Sequence, residues 1–125
     1  MTHHDYKGIF PILYTYFNKD GSIDTGAMRR QVDVCINAGA HGIAILGIVG
    51  EFDKLNVIEK RTITEIIADA VDGRVPLAVT VSEPSVPGQI EFMQAAETIG
   101  ADWTILQPPQ LKGIPETEII RFFGS

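Results

Sequence analysis

Two stretches of the chain repeat one pattern: NAGAHGIAILG (37–47) and ETIGADWTILQ (97–107). Each passes from the end of a helical pattern through Gly39 or Gly100 and an alanine into a short apolar run. Glycine suits the left-handed residue that closes a helix, and an apolar run too short for a helix reads as a strand of a parallel sheet, buried on both faces.

The rest of the chain fits around these two units. GIFPILYTYF (8–17) is short, β-branched and aromatic, and NKDGS follows it as a turn signal, so it reads as a first strand. From Asp24 the period changes: Met28, Val32, Cys35 and Ile36 recur at helical steps as far as Gly39. HGIAILG (41–47) is the second strand. Asn56 with Glu59 resembles a capping box, Ile58, Ile63, Ile66, Ile67 and Ala70 form a helical stripe, Gly73 ends it, and VPLAVTV (75–81) is the third strand. Ser85 caps a further helix, with Pro87 in its first turn and Ile90, Met93, Ala96 and Ile99 facing inward; ADWTIL (101–106) is the fourth strand. PETEIIRFFGS (115–125) opens another helix.

The repeat spacing is on the order of 30 residues, the size of a βα unit and not of a helical solenoid repeat. Strands separated by single helices imply right-handed parallel crossovers, hence a doubly wound sheet or a (β/α)₈ barrel. A barrel needs eight strands in about 250 residues. At 125 residues, with four strands and a last helix of about two turns, the expectation is an α/β chain. Its parallel βα units form half of a (β/α)₈ TIM barrel, a single partial domain over residues 1–125 that looks truncated at its end.

Composition limits the function. With 45% apolar and 21% charged residues the chain is ordinary globular protein. Ten Lys plus Arg against sixteen Asp plus Glu, with no basic cluster, disfavour a nucleic-acid partner. No apolar run approaches the roughly 18 residues of a membrane helix, and MTHHDYKGIF lacks a signal-peptide pattern, which points to the cytoplasm. The lone Cys35 reads as core packing in a reducing compartment. His3, His4 and His41 lack the spacing of a metal site, and neither metal nor cofactor is expected.

In either fold, ligands bind beyond the carboxyl ends of the strands. GIVGEF (47–52) lies there, after the second strand. Gly47 and Gly50 permit unusual φ angles or close backbone approach, and successive N–H groups in such a turn can hold an anion, naturally a carboxylate. Glu51 is suited to orienting the turn by accepting N–H bonds. No Gly-Lys-Ser/Thr follows, so this is not a P-loop.

Across GIFPILYTYFNKDGSID, DVCINAGAHGIAILGIVGEFDKLNVIEKRTI, GRVPLAVTV and AAETIGADWTILQPP, nearly the whole chain resembles one family. It is similar to the first half of the dihydrodipicolinate synthase / N-acetylneuraminate lyase family of pyruvate-handling class I aldolases. The resemblance implies a (β/α)₈ barrel, a homo-oligomer, a small 2-oxo acid substrate, and a lysine that forms a Schiff base with it. The family's carboxylate turn, Gly-Thr-Thr-Gly-Glu, falls on Gly47, Ile48, Val49, Gly50 and Glu51, which the resemblance makes the substrate-binding residues. Main-chain donors at Ile48 and Val49 do not depend on the side chain, but the hydroxyls that relay a proton are gone. The family's Pro-Tyr-Tyr is Pro108, Pro109 and Gln110 here. Both departures point away from dihydrodipicolinate synthesis and toward a sugar-acid aldolase or dehydratase.

By the same resemblance, the Schiff-base lysine and its tyrosine partner belong to later strands, so no catalytic residue is expected in this chain. Of its five lysines, Lys54 and Lys112 fall on polar loops, and Lys7, Lys19 and Lys60 at the terminus, in a turn and on a helix surface. None has the buried setting that depresses an amine pKa for imine formation. Ser82 and Glu83 read as a loop leading into a helix. Trp103 and the Phe122/Phe123 pair read as packing surface, exposed if the half barrel stands alone. Two functions result: a lyase acting through a lysine outside these residues, inactive as this chain alone, or a non-catalytic half barrel that self-associates or pairs with another chain.

Overall fold

The computed structural model describes residues 8–47, 54–107 and 116–124. Asp24 starts the first helix, α1 (Thr25–Asn37), because its carboxylate accepts the Ala27 amide at 3.0 Å and satisfies an end donor. Three further helices follow, α2 (Val57–Val71), α3 (Val86–Ile99) and α4 (Glu116–Phe123). At the start of α2 the Asn56 side chain accepts from the Glu59 amide at 2.8 Å while Glu59 accepts from the Asn56 amide at 3.1 Å, a complete capping box. Ser85 caps α3 through Gly88. Gly39 and Gly100 follow α1 and α3 with φ of 97° and 135°, so the repeated glycines do close the helices.

Three strands, β1 (Ile43–Ile45), β2 (Leu77–Val81) and β3 (Trp103–Leu106), form a parallel sheet in the order β1-β2-β3. Ala44 stands opposite Ala78, and Ala78 opposite Trp103. Asp102 secures the start of β2 by accepting the Leu77 amide at 2.8 Å.

The expected strand over 8–17 is corrected: among the described residues it makes a single parallel bridge, Ile12 to Ala44, on the side of β1 away from β2. The Leu13 amide donates to Ala44 and the Ala44 amide to Pro11, at 2.9 and 3.0 Å. One rung earlier the ladder needs an N–H from Pro11, which has none. One rung later β1 has ended at Leu46, whose φ is 63°. The Tyr14 amide turns instead to Gln31 Oε1 of α1 at 2.8 Å.

One face of the sheet carries Ile43, Ile45, Leu77, Val79 and Val81, packed in one core with Met28 and Val32 of α1, Ile63 and Ile67 of α2, and Phe92 and Ala96 of α3. The three helices therefore share a face, whereas a doubly wound sheet divides its helices between two. The expectation that every strand is covered on both faces fails at β3, where Trp103 and Ile105 are exposed.

Two helix stripes also sit differently from expectation. In α2 the buried line is Lys60, Ile63, Thr64, Ile67 and Val71, while Ile58 is 73% exposed. In α3 it is Gln89, Phe92 and Ala96, with Ile90 exposed. Cys35 is half-buried against the core.

The Asn18–Ser22 turn returns the chain toward α1 through a Phe17–Ile23 bridge. Ser22 donates its hydroxyl and its amide to the Asp20 carboxylate at 2.6 and 3.0 Å, which holds the Asp20 pKa below its ordinary value. A depressed pKa stabilises the folded turn above the ordinary carboxylate range, and that contribution is lost as pH falls through the depressed value. Acid titration by NMR is therefore expected to shift the Ser22 amide with an apparent pKa below that of a model aspartate; titration at the ordinary value would show that the turn bonds do not hold the carboxylate.

Candidate functional site

The carboxyl ends of the three strands gather the chain's unusual polar and backbone features. β1 leaves the sheet through Leu46, a fully buried leucine held at positive φ, which is an uncommon and strained conformation for a branched residue. Gly47 follows. A Cβ built on it would lie 2.9 Å from Ile12 Cγ2, so the glycine accommodates the close approach of the Ile12 side chain. The sequence offered two reasons for Gly47, free φ or close approach; close approach applies to it, and the positive φ lies one residue earlier. Ile48, Val49, Gly50 and Glu51, the rest of the expected substrate-binding set, lie outside the described residues, as do Pro108, Pro109 and Gln110.

Lys54 and Leu55 lead into α2, and Leu55 is buried in the core. One turn into α2 stands Lys60. Its expected place on a helix surface is corrected: its Nζ meets Glu83 Oε1 at 2.9 Å, and the two side chains are only 9% and 14% exposed. A buried ammonium is tolerated only with such a partner. Lys60 O also accepts the buried Thr64 hydroxyl at 2.7 Å.

Glu83 comes from the loop after β2, beside the end of β3. Its carbonyl accepts from Gln89 Nε2 at 2.6 Å, and the same amide donates to Gln107 O at 3.0 Å. Gln89 therefore ties the exits of β2 and β3 to α3, which explains why a polar residue holds a core position. Ser82 Oγ, Gln89 Oε1 and Gln107 Oε1 are buried here without a hydrogen-bond partner. The pairing of Lys60 with Glu83 joins groups 23 residues apart and had no signal in the local pattern. The loop reading of Ser82 and Glu83 missed it.

The other candidates are structural or exposed. His41 Nδ1 accepts the Ile9 amide at 3.0 Å, and no group of His, Cys, Asp and Glu fit to hold a metal occurs among the described residues. Lys19 and Lys54 are exposed, while Lys7 and Lys112 lie outside the described residues. No described helix is long and apolar enough to cross a membrane.

A sequence model of the Dihydrodipicolinate synthetase family matches residues 5–125. The 4-hydroxy-tetrahydrodipicolinate synthase of Methanococcus vannielii is 34% identical over 119 residues, which are 95% of this chain and 41% of that protein. The Escherichia coli K12 protein named "Probable 2-dehydro-3-deoxy-D-pentonate aldolase YjhH" is 36% identical over 104 residues, 83% of this chain and 35% of that one. In structure, the chain is similar to E. coli YagE, solved in complex with pyruvate, with a TM-score of 0.87 at 33% identity over 95% of this chain and 40% of that one. N-acetylneuraminate lyase from Mycoplasma synoviae also gives 0.87, at 25% identity, over 94% of this chain and 41% of the lyase. The chain thus spans about two-fifths of the length of these relatives.

Proposed function

Because this chain belongs to the dihydrodipicolinate synthetase family, we propose that it supplies the first half of a (β/α)₈ barrel, residues 1–125, in a cytoplasmic, homo-oligomeric lyase acting on a 2-oxo acid. The observation that carries the reading is the match over residues 5–125 together with Gly47 at the carboxyl end of β1. In this reading Gly47, Ile48, Val49, Gly50 and Glu51 bind the substrate carboxylate, and main-chain N–H groups at Ile48 and Val49 are the donors.

The chemistry is carbon–carbon or carbon–oxygen cleavage through an imine between a lysine outside these 125 residues and the C2 carbonyl of the substrate. Within the chain, Lys60 is committed to Glu83, and Lys19 and Lys54 are exposed. Replacement of both turn threonines by Ile48 and Val49 supports an aldolase or sugar-acid dehydratase over a synthase, since neither side chain relays a proton. The similarity to YjhH and YagE is in keeping with that branch.

The test is reductive trapping. A chain extended through the remaining strands, incubated with pyruvate or a 2-keto-3-deoxy sugar acid and borohydride, is expected to gain the mass of one reduced adduct on lysine. The 125-residue chain is expected to gain none and to turn over no 2-oxo acid. An extended chain that traps no such acid sinks the lyase reading. Turnover by the 125 residues alone sinks the assignment of the lysine elsewhere.

A further inference from the structure

Two of the chain's ion pairs, Arg29–Asp69 and Arg74–Asp33, are ordinary surface pairs whose side chains lie open to water, which screens the attraction. Lys60–Glu83 is different. Both groups are withdrawn from water, and an apolar pair of similar volume in such a place is commonly as stable or more so. Net stability therefore does not account for the two charges. What a charged hydrogen bond adds is a fixed distance and direction, whereas an apolar contact lets the packed elements slide.

The elements fixed in this way meet at one end of the sheet. Lys60 belongs to the start of α2 and Glu83 to the exit of β2. The Glu83 carbonyl accepts from Gln89 Nε2 of α3 at 2.6 Å, the same Nε2 donates to the Gln107 carbonyl at 3.0 Å, and the Gln107 main-chain amide donates to the Val81 carbonyl at 2.9 Å. One connected set of bonds thus runs from α2 through the exits of β2 and β3 to α3. Gln89, only 2% exposed, holds its middle. Gly47 follows β1 at the same end of the sheet, and the buried Leu55 precedes α2. The Gly47–Glu51 turn is therefore joined through the chain to β1 on one side and to α2 on the other, so a shift of α2 against the sheet moves its far attachment.

We propose that Lys60 and Glu83 are positioning residues for substrate binding: their ion pair, backed by Gln89, fixes the start of α2 against the exits of β2 and β3 and thereby sets where the Gly47–Glu51 turn meets the substrate carboxylate. This role presupposes the lyase reading. A carboxylate is gripped alike before and during the chemical step, so losing the alignment raises the half-saturating concentration of the acid and leaves the maximal rate. A pair that only stabilised the fold would act the other way, since unfolding part of the protein lowers the maximal rate and leaves half-saturation unchanged.

The initial rate of borohydride trapping, measured on the extended protein against pyruvate concentration, reads both quantities. Lys60→Met with Glu83→Leu replaces the pair by apolar side chains. It is expected to keep a parent-like urea midpoint and a maximal rate within about twofold, while half-saturation rises about tenfold or more, since a displacement of about 1 Å can cost on the order of a hundredfold. Lys60→Arg keeps a cation on Glu83 and is expected to stay within about threefold of the parent. Arg29→Met with Asp69→Leu removes an exposed pair between α1 and α2 and should change neither quantity. If the apolar double variant does not fold, Gln89→Leu decides, because it unties the same exits and should raise half-saturation as well.

An apolar double variant with the parent's half-saturation, whatever its maximal rate, overturns the proposal and leaves the pair a structural one. A folded double variant that traps no pyruvate at any concentration overturns it too, because Lys60 would then be the imine lysine itself. A parent that traps no 2-oxo acid removes the lyase reading and this role with it, whereas a parent that traps and a variant that matches it remove the role alone.

Discussion

Replacing Lys60 by methionine is expected to destabilise the fold by about 3–5 kcal/mol, the usual cost of stranding one member of a buried ion pair. Lys60 Nζ lies 2.9 Å from Glu83 Oε1 with both side chains largely out of water, so the methionine leaves a carboxylate buried without its cation. Arg29→Met is the control: its partner Asp69 is at 2.7 Å, but these side chains are 44% and 72% exposed, and such surface pairs contribute about 1 kcal/mol or less. The double change Lys60→Met with Glu83→Leu removes both charges and is expected to restore stability to within about 1 kcal/mol of the parent, or above it. Urea unfolding of the parent, both single variants and the double variant closes the cycle. A Lys60→Met midpoint no lower than that of Arg29→Met would mean that the ammonium is not held out of water.

The same residue shows where the sequence stopped being legible. Apolar spacing placed α1, α2 and α3 correctly because Met28 and Val32, Ile63 and Ile67, and Ala96 do face the core. It misplaced the edges of the α2 and α3 stripes, counting Ile58 and Ile90 as inward, because Lys60 and Gln89 occupy buried positions that a polarity pattern assigns to solvent. Burial of those two groups is decided by Glu83 and Gln107, 23 and 18 residues away, and no local period contains that information. The weakness of the first strand, by contrast, was readable: Pro11 cannot donate to a ladder, and proline inside a strand pattern is itself a sign of interrupted pairing. The run ADWTIL (101–106) was read as a strand, and its last four residues, WTIL, form β3. Whether its second face is covered depends on what packs across the sheet, which the four residues do not encode. That Gly47 stands at the carboxyl end of β1 was legible for a similar reason. A strand period followed by Gly47 marks a carboxyl end in any parallel sheet, whereas the geometry that requires the glycine comes from Ile12, thirty-five positions earlier in the chain.

That geometry makes Gly47→Ala the more informative change for function. The added Cβ would lie 2.9 Å from Ile12 Cγ2, closer than side chains approach, so the Ile12 side chain or one of the two segments has to move. The Ile12 backbone is not free to yield, because hydrogen bonds of 2.9 and 3.0 Å between Ala44 and its neighbours Leu13 and Pro11 pin the segment on both sides, which leaves the half-exposed Ile12 side chain to turn aside. Nor does Leu46 have slack, being fully buried with φ already positive. The expected cost is about 1–3 kcal/mol of stability, the usual range for overpacking. If the residues after Gly47 present main-chain donors to a carboxylate, displacing their point of departure should also weaken pyruvate binding by about tenfold or more, since hydrogen bonds to a charged group fall steeply with misalignment. Ile12→Ala removes Cγ2, so Gly47→Ala with Ile12→Ala is expected to recover binding, while Gly47→Ala with Ile105→Ala, which leaves the clash in place, is not. Thermal unfolding and pyruvate titration followed by NMR, carried out on the extended protein for binding, separate the two effects. Recovery of stability without recovery of binding would detach Gly47 from the carboxylate site, and a Gly47→Ala variant that changes neither would show that the contact with Ile12 does not constrain the exit of β1 at all.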